Sequence, residues 1–219
     1  MERAGWLAER RRISEERMDT LFAPIYDQDW GGYINPAHQR MIARFLEHCT
    51  AGARILDAAC GTGKYWPLLL TEKRQVVGID QSSGMLQQAQ AKFPDVPTRK
   101  QGMQELDDER AFDGIICMDA MECVGPEDWP VVLANFQRAL KHGGTMYLTV
   151  ELPEDDLAEV NLAAVAAGLP LVPGEYLKDG TYHYYPTSEQ VRSWMAAAGF
   201  QISEETDGDG YHHLLARTR

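Results

Sequence analysis

Short apolar runs alternate with amphipathic segments along the chain from residue 54 onwards. This alternation predicts parallel strands joined by crossover helices. The last two runs flank an Asp-Gly-Asp-Gly sequence at residues 207–210, which predicts an antiparallel hairpin and so a reversed terminal strand. We therefore predict an α/β fold with a doubly wound, seven-stranded, mostly parallel sheet. The seven predicted strands cover residues 54–58, 75–80, 96–102, 112–119, 144–151, 200–204 and 211–217.

Four helices are predicted from apolar stripes and end signals. One begins at Pro36, with Asn35 as its cap, and ends before Gly52. Another begins after Thr187, which has capping-box form, and stops at Gly199. The remaining two lie between strands and would cover the faces of the sheet, as expected of amphipathic crossover helices; they span residues 82–93 and 126–140.

Two stretches stand outside this alternation, and neither has enough apolar residues for a core of its own. Residues 1–34 are charged and carry scattered aromatic side chains, so we expect an N-terminal helical lid over the main domain, residues 35–219. Residues 152–186 combine a helical pattern at 154–167 with a Tyr-rich loop, and we expect an insertion that covers the substrate. Loops at such an edge usually carry function.

The amino-acid composition limits the kinds of molecule that the protein is expected to bind. The chain has 219 residues, with 33 acidic against 21 basic side chains and a net charge of −12, so a nucleic acid is not expected as a partner. No signal peptide and no apolar run of about 18 residues is evident, so we expect a cytoplasmic protein outside the membrane. Arg10-Arg11-Arg12 is interpreted as a solvated helix face. The four cysteines lack zinc-ligand spacing, and no metal is expected.

The most informative segment is Ile55-Leu56-Asp57-Ala58-Ala59-Cys60-Gly61-Thr62-Gly63-Lys64. A buried strand ends near an acid, and small residues then allow the backbone to approach a ligand before a helix opens. A triphosphate-binding loop is rejected because Ala58 and Tyr65 replace its required glycine and hydroxyl residue. A dinucleotide fingerprint fits poorly because Trp66 stands at its third glycine.

The segment resembles the first motif of the class I S-adenosylmethionine-dependent methyltransferases, which have a Rossmann-like fold. Val76-Val77-Gly78-Ile79-Asp80 resembles the family's second strand, and Gly102-Met103-Gln104-Glu105-Leu106 its adenine motif, although Met103 stands where the family often has Asp. The runs at 112–124 and 140–144 resemble the fourth strand and the turn before the fifth. Five motifs in the expected order over residues 40–151 imply S-adenosylmethionine as cofactor and S-adenosylhomocysteine as product.

The resemblance also implies roles for individual residues. Gly61 and Gly63 let the backbone approach the cofactor, Asp57 serves its ammonium group, and Asp80 accepts hydrogen bonds from the ribose. Asp119 is expected at the methionine end. The full set expected to bind cofactor is Tyr26, Asp57, Ala58, Gly61, Gly63, Asp80, Gln81, Met85, Met103, Gln104 and Asp119.

The substrate should enter beside the fourth and fifth strands, where both coverings converge. His183 is the first candidate for a general base because histidine side chains as a class suit proton transfer near neutral pH and because it lies in the Tyr-rich loop, and Glu122 is the second. Aromatic residues of the coverings and of one helix are candidates for the wall of a small-molecule pocket; they are Trp30, Tyr33, Trp129, Tyr176, Tyr182 and Tyr184.

The resemblance therefore predicts transfer of a methyl group to oxygen or nitrogen of a small organic acceptor, by a monomer or homodimer. Two alternatives stay open. A protein side-chain methyltransferase would need an open groove instead of a lidded pocket. A non-catalytic cofactor-binding protein would act in regulation or assembly.

Overall fold

The computed structural model describes residues 2–153, 168–178 and 180–218, and within them the strands form one large sheet and one small hairpin. The large sheet has seven strands in the order β3-β2-β1-β4-β5-β9-β8. Strands β1 to β5 run parallel, whereas β9 is antiparallel to both of its neighbours, β5 and β8. The strands are β1 (Arg54–Ala58), β2 (Gln75–Asp80), β3 (Thr98–Lys100), β4 (Phe112–Cys117), β5 (Leu140–Glu151), β8 (Phe200–Gly208) and β9 (Tyr211–Thr218).

The predicted fold class is confirmed, including the reversed terminal strand. Strands β1 and β2 have the predicted bounds. Strand β3 is shorter than predicted because it pairs only with β2, at the sheet edge, and because Pro97 has no N–H to donate. Strand β5 is longer and takes in the Gly143-Gly144 pair, with a register shift against β4 between Phe112 and Gly114.

Alternation of side chains along the strands divides the core into two layers. On one face Leu56 and Ile115 pack with apolar residues of the helices that follow β4 and precede β8. On the other face Ile55 and Ile116 pack with the helices that precede β1 and follow β2. The helices are α1 (Arg3–Arg17), α2 (Pro36–Leu46), α3 (Trp66–Leu69), α4 (Ser83–Lys92), α5 (Trp129–Ala139) and α6 (Ser188–Ala197).

The two predicted caps have different outcomes. Thr187 caps α6, because its side chain accepts a hydrogen bond from the Gln190 amide. Asn35 makes no capping hydrogen bond to α2. The Ala37 amide donates instead to Asp209 Oδ2 at 2.7 Å, so the β8–β9 turn supplies the acceptor for the start of α2.

The two coverings are more regular than their sequences indicate. Residues 1–34 contain α1 and two π-helical turns, Met18–Phe22 and Asp27–Gly31. The Tyr-rich stretch, interpreted as a loop, is an antiparallel hairpin of β6 (Glu175–Lys178) and β7 (Thr181–Tyr184). The helical pattern at 154–167 lies outside the described residues. No helix among the described residues is long and apolar enough to cross a membrane.

Candidate active site

A cavity of about 700 Å³ lies between the carboxyl ends of the parallel strands and helix α1. Ligands of open α/β sheets bind at this edge, and the volume is in the usual range for a small-molecule site. The strand-end side of the cavity is lined by Asp57, Gly61, Asp80, Met103 and Asp119. We call this side the strand-end wall and the side formed by α1 the helix wall.

The glycine turn after β1 begins the strand-end wall. Gly61 has φ +52° and lines the cavity, and a Cβ atom there would meet no atom within 4 Å, so its backbone is open to a ligand. Gly63 has φ +75°, and a Cβ there would lie 2.7 Å from the Trp66 ring. Gly63 and the fully buried Ala58 are not on the cavity wall, so this part of the expected cofactor set is corrected. Gly63 serves the packing of α3.

Asp80 at the end of β2 fixes the turn from the neighbouring strand. Its Oδ2 accepts from the Gly61 amide and its Oδ1 from the Ser82 amide, both at 2.8 Å. Desolvation raises the pKa of Asp80, and the amides of Ser82 and Gly61 oppose that shift. Each carboxylate oxygen has a second lone pair, so Asp80 retains acceptor capacity towards the cavity.

Asp57 is the second carboxyl group of this wall. It is 3% exposed, and its Oδ2 accepts from the Trp66 indole at 2.8 Å. Burial raises the pKa of Asp57 to about 8, against the weaker opposing effect of the indole hydrogen bond. Asp57 is therefore largely protonated at neutral pH until a cation enters the cavity.

Asp119 follows β4 and has a left-handed backbone conformation, with φ +52°. Its Oδ1 lies 2.8 Å from His38 Nε2, and its Oδ2 accepts from the Tyr65 hydroxyl at 2.6 Å. Desolvation raises the pKa of Asp119, but the hydrogen bond and charge of His38 and the Tyr65 hydroxyl outweigh it and leave the pKa below its ordinary value. Helix α2 and the glycine turn thus hold Asp119 as a carboxylate.

The remaining expected cofactor residues lie after β2 and β3. Gln81, Met85, Met103 and Gln104 all line the cavity. Asn135 of α5 donates to the carbonyl oxygens of Met103 at 3.0 Å and Gln104 at 2.9 Å, which fixes the backbone there. These residues offer a thioether surface and main-chain groups to a purine.

Helix α1 forms the helix wall along most of its length. Arg3, Leu7, Arg10, Arg11 and Ser14 recur at helical spacing and line the cavity. The interpretation of Arg10-Arg11-Arg12 as a solvated face is therefore wrong for Arg10 and Arg11 and correct only for the exposed Arg12, which pairs with Glu9 and Glu16.

Of the six aromatic candidates for the acceptor pocket, Tyr182 lines the cavity and five do not; Tyr26 of the expected cofactor set lines it too. Trp30 and Tyr33 are 43% and 62% exposed, away from the cavity. Trp129 is buried and stacks on Trp194, with ring centroids 5.4 Å apart, where it joins α5 to α6.

The hairpin explains the remaining aromatic candidates. Because neighbouring strand residues point to opposite faces, Tyr182 and His183 cannot both face the cavity. Tyr184 is buried beside α6 and donates to Gln190, and Tyr176 packs on Tyr185. Neither is on the cavity wall.

His183, the first candidate base, lies off the cavity wall. Its ring stacks on Tyr185, and its Nδ1 is 3.7 Å from Glu151 Oε2. Glu122 is 8% exposed, and its Oε2 has no hydrogen-bond partner among the described residues. Burial, followed by the negative charge of Glu151, raises the pKa of Glu122 to about 8. Glu122 is not itself on the cavity wall, but its neighbour Cys123 lines the cavity.

Some wall residues were missed by sequence reasoning. Lys64 ends the glycine segment but was given no role, and Arg3, Leu7 and Arg10 lie outside the family motifs, although these three recur at the i, i+4, i+7 spacing of one helix face. Lys64 follows the glycine turn, and desolvation lowers its pKa. Among the described residues no carboxylate forms an ion pair with Lys64.

The arrangement fits the cofactor implied by the motifs. The open backbone at Gly61, the protonatable Asp57 and the amide-anchored Asp80 provide a close-approach turn and two acceptors for an ammonium group and a ribose. Lys64 is placed at the same end to meet a carboxylate.

Comparison with known proteins agrees with this geometry. A family profile described as "Methyltransferase domain" matches residues 55–144. The chain is 29% identical over 198 residues to a ubiquinone biosynthesis O-methyltransferase of Xanthomonas axonopodis pv. citri, which covers 85% of this chain and 77% of that protein.

Two solved structures share the fold at low sequence identity. Magnesium protoporphyrin IX methyltransferase from Synechocystis PCC 6803 with bound SAH has a TM-score of 0.71 and 17% identity, covering 96% of this chain and 100% of that one. A 1,6-didemethyltoxoflavin-N1-methyltransferase from Burkholderia thailandensis, with S-adenosylhomocysteine bound, has a TM-score of 0.71 and 18% identity, covering 100% of this chain and 91% of that one.

Proposed function

We propose that this chain is a class I S-adenosylmethionine-dependent methyltransferase and that it methylates an oxygen atom of a small aromatic acceptor; the match of residues 55–144 to a methyltransferase-domain profile and the likeness to an O-methyltransferase support this proposal. The cover that helix α1 forms over the cavity carries this proposal. Helix α1 crosses the strand ends, and Leu7, Val124 and Tyr182 give the outer part of the cavity an apolar lining. A protein side-chain methyltransferase would need an open groove here. Oxygen is favoured by the relative that is named an O-methyltransferase.

When bound, S-adenosylmethionine supplies an activated methyl group on a sulfonium sulfur. We assign Asp57 and Lys64 to its ammonium and carboxylate groups, Asp80 to its ribose, and the Met103 and Gln104 backbone to its adenine. The strand-end wall orients the cofactor, and the apolar outer part excludes water from the acceptor. Positioning and desolvation are the main requirements of an in-line displacement.

The two coverings are assigned as parts of this one site. Residues 1–34 act as a lid on the domain formed by residues 35–219, and residues 152–186 act as an insertion that covers the acceptor. Support comes from α1 and from Tyr182, which both line the cavity. A cytoplasmic location, a monomeric or homodimeric state and the lack of a nucleic-acid partner stay predictions.

Glu122 is our candidate for the base that accepts the acceptor's proton. A carboxyl group with a pKa of about 8 and an unpartnered oxygen is well matched to proton transfer near neutral pH. Since only the ionised form accepts a proton, kcat should rise as the pH increases towards about 8.

The test is methyl uptake from labelled S-adenosylmethionine by panels of phenols, carboxylic acids and amines. We expect O-methylated phenols as products and, for Glu122→Gln, a loss of turnover of about 100-fold with unchanged S-adenosylhomocysteine affinity. The exposed Glu109→Gln is the matched control. Uptake by amines alone would contradict the assignment to oxygen, and wild-type kcat in Glu122→Gln would remove Glu122 as the base.

A further inference from the structure

Helix α1 brings three arginines to a cavity of a protein whose net charge is −12. Two of the three are neutralised by carboxylates of the body. Arg3 pairs with Glu127 and, at 2.6 Å, with Glu175, and these hydrogen bonds raise its pKa. Arg11 pairs with Glu105 beside Gly102. These ion pairs attach the helix to the domain.

Arg10 differs from its neighbours because no carboxylate of the described residues forms an ion pair with it. Its Nε has no solvent exposure and no hydrogen-bond partner in the described part of the chain. The guanidinium carbon lies 5.8 Å from the centroid of the Trp6 ring. A buried Nε that makes no hydrogen bond is costly, unless a ligand supplies an acceptor for it.

The cofactor has one carboxylate, and the strand-end wall already has a cation for it. Lys64 follows the glycine turn and lines the cavity beside Asp119, whose charge opposes the lowered pKa of Lys64. Arg10 is on the opposite wall, on α1. With the cofactor's carboxylate assigned to Lys64, the cofactor has no second carboxylate to offer Arg10.

The surroundings of Arg10 are aromatic and apolar. Trp6 is 3% exposed, and its ring meets Tyr182 edge to face, with centroids 5.7 Å apart. Tyr182 and Leu7 line the same cavity. An arginine above an aromatic pair suits an acceptor that combines a flat ring with a carboxylate.

We infer that the methyl acceptor is an aromatic acid whose carboxylate binds Arg10 while its ring packs beside Leu7 and Tyr182. This inference rests on the proposed function, because it assigns the acceptor of the same site. Arg10 is a specificity-determining residue in this account. Arg3 and Arg11 position the helix that carries it.

The test is binding of 4-hydroxybenzoate and 4-hydroxybenzamide to protein saturated with S-adenosylhomocysteine, measured by calorimetry. The two probes share the ring and the hydroxyl group and differ in charge. We expect the wild type to prefer the acid by about tenfold or more, and Arg10→Gln to lose that preference. Arg12→Gln, on the exposed face of the same helix, should keep it.

The outcomes separate this inference from the proposed function. Absence of a preference for the acid in the wild type, or an equal preference in Arg10→Gln, overturns the inference. A matching loss of S-adenosylhomocysteine affinity in Arg10→Gln also overturns it, because Arg10 would then belong to the cofactor. Failure of the wild type to bind S-adenosylhomocysteine would instead overturn the proposed function.

Discussion

The two walls of the cavity hold their charged groups in different ways. On the strand-end wall, Asp80 accepts from two backbone amides and Asp119 from His38 and Tyr65, all groups of the central domain. On the helix wall, Arg3 pairs with Glu127 and Glu175 and donates to the Pro170 carbonyl, and Arg11 pairs with Glu105, so side chains from far along the chain hold both. The first wall is part of the folded core, whereas the second is a cover attached to it.

This difference assigns separate tasks to the walls. Acceptors fixed by backbone and core groups cost little to reorganise when a ligand binds, which suits an invariant cofactor. Helix α1 places one buried side chain, Trp6, in the core and is otherwise joined mainly by ion pairs, of which the exposed ones contribute little to stability, so it is more easily displaced than the strand ends. We therefore expect damage to the strand-end wall to affect folding and cofactor binding, and damage to the helix wall to affect the acceptor.

The largest effect is expected from a substitution in the glycine turn that begins the strand-end wall. Gly63→Ala should lower the free energy of unfolding by about 3 to 4 kcal/mol, because a Cβ would overlap the buried Trp66 ring and strain a left-handed residue. Gly143→Ala has a similar φ of +70° in open space and should lose only about 1 to 2 kcal/mol. Equal losses in urea unfolding would mean that Trp66 does not require Gly63.

Asp80→Ala is expected to have the next largest effect. Losing its carboxylate removes the acceptor for the ribose and the anchor of Gly61, so S-adenosylhomocysteine binding should weaken by about 1 to 3 kcal/mol. Asp95→Ala, at an exposed loop position, is the control. Wild-type affinity of Asp80→Ala by calorimetry would refute the placement of the ribose.

A further effect is expected from the titration of Asp57. With its pKa at about 8, Asp57 is mostly protonated below that pH, and an ammonium group favours the ionised form. Cofactor binding must then release a proton, so affinity should rise by about 2 kcal/mol between pH 6.5 and 8.5. Asp57→Asn should bind more weakly and lose this pH dependence; an unchanged slope would assign the proton to another group.

The strand-end wall could be predicted from sequence because local chemistry determines it. A strand that ends near Asp and is followed by small residues predicts where the strand stops, because small residues tolerate positive φ. The same pattern predicts that a ligand binds at that edge of the sheet. Asp57, Gly61 and Asp80 therefore lie on the cavity wall as expected. Gly63 does not, because its need for positive φ serves the packing of Trp66, which the motif alone does not reveal.

The helix wall could not be predicted in the same way. Whether Arg10 or Arg12 faces the cavity depends on the rotation of α1 against the domain, and ion pairs with Glu105, Glu127 and Glu175 set that rotation from far along the chain. His183 was expected at the substrate site because the hairpin was interpreted as a loop. A loop has no strand alternation to determine which neighbouring side chains face the cavity.

Hydrogen exchange with and without S-adenosylhomocysteine tests most directly whether one ligand lies between the two walls. The account predicts slower amide exchange both in the glycine turn, residues 59–64, and in α1, with no change in residues 71–74, which precede β2 at the opposite edge of the sheet. Protection of the glycine turn alone would contradict the role of α1 as the second wall. Exchange that is unchanged at both places would contradict the assignment of the cavity to the cofactor.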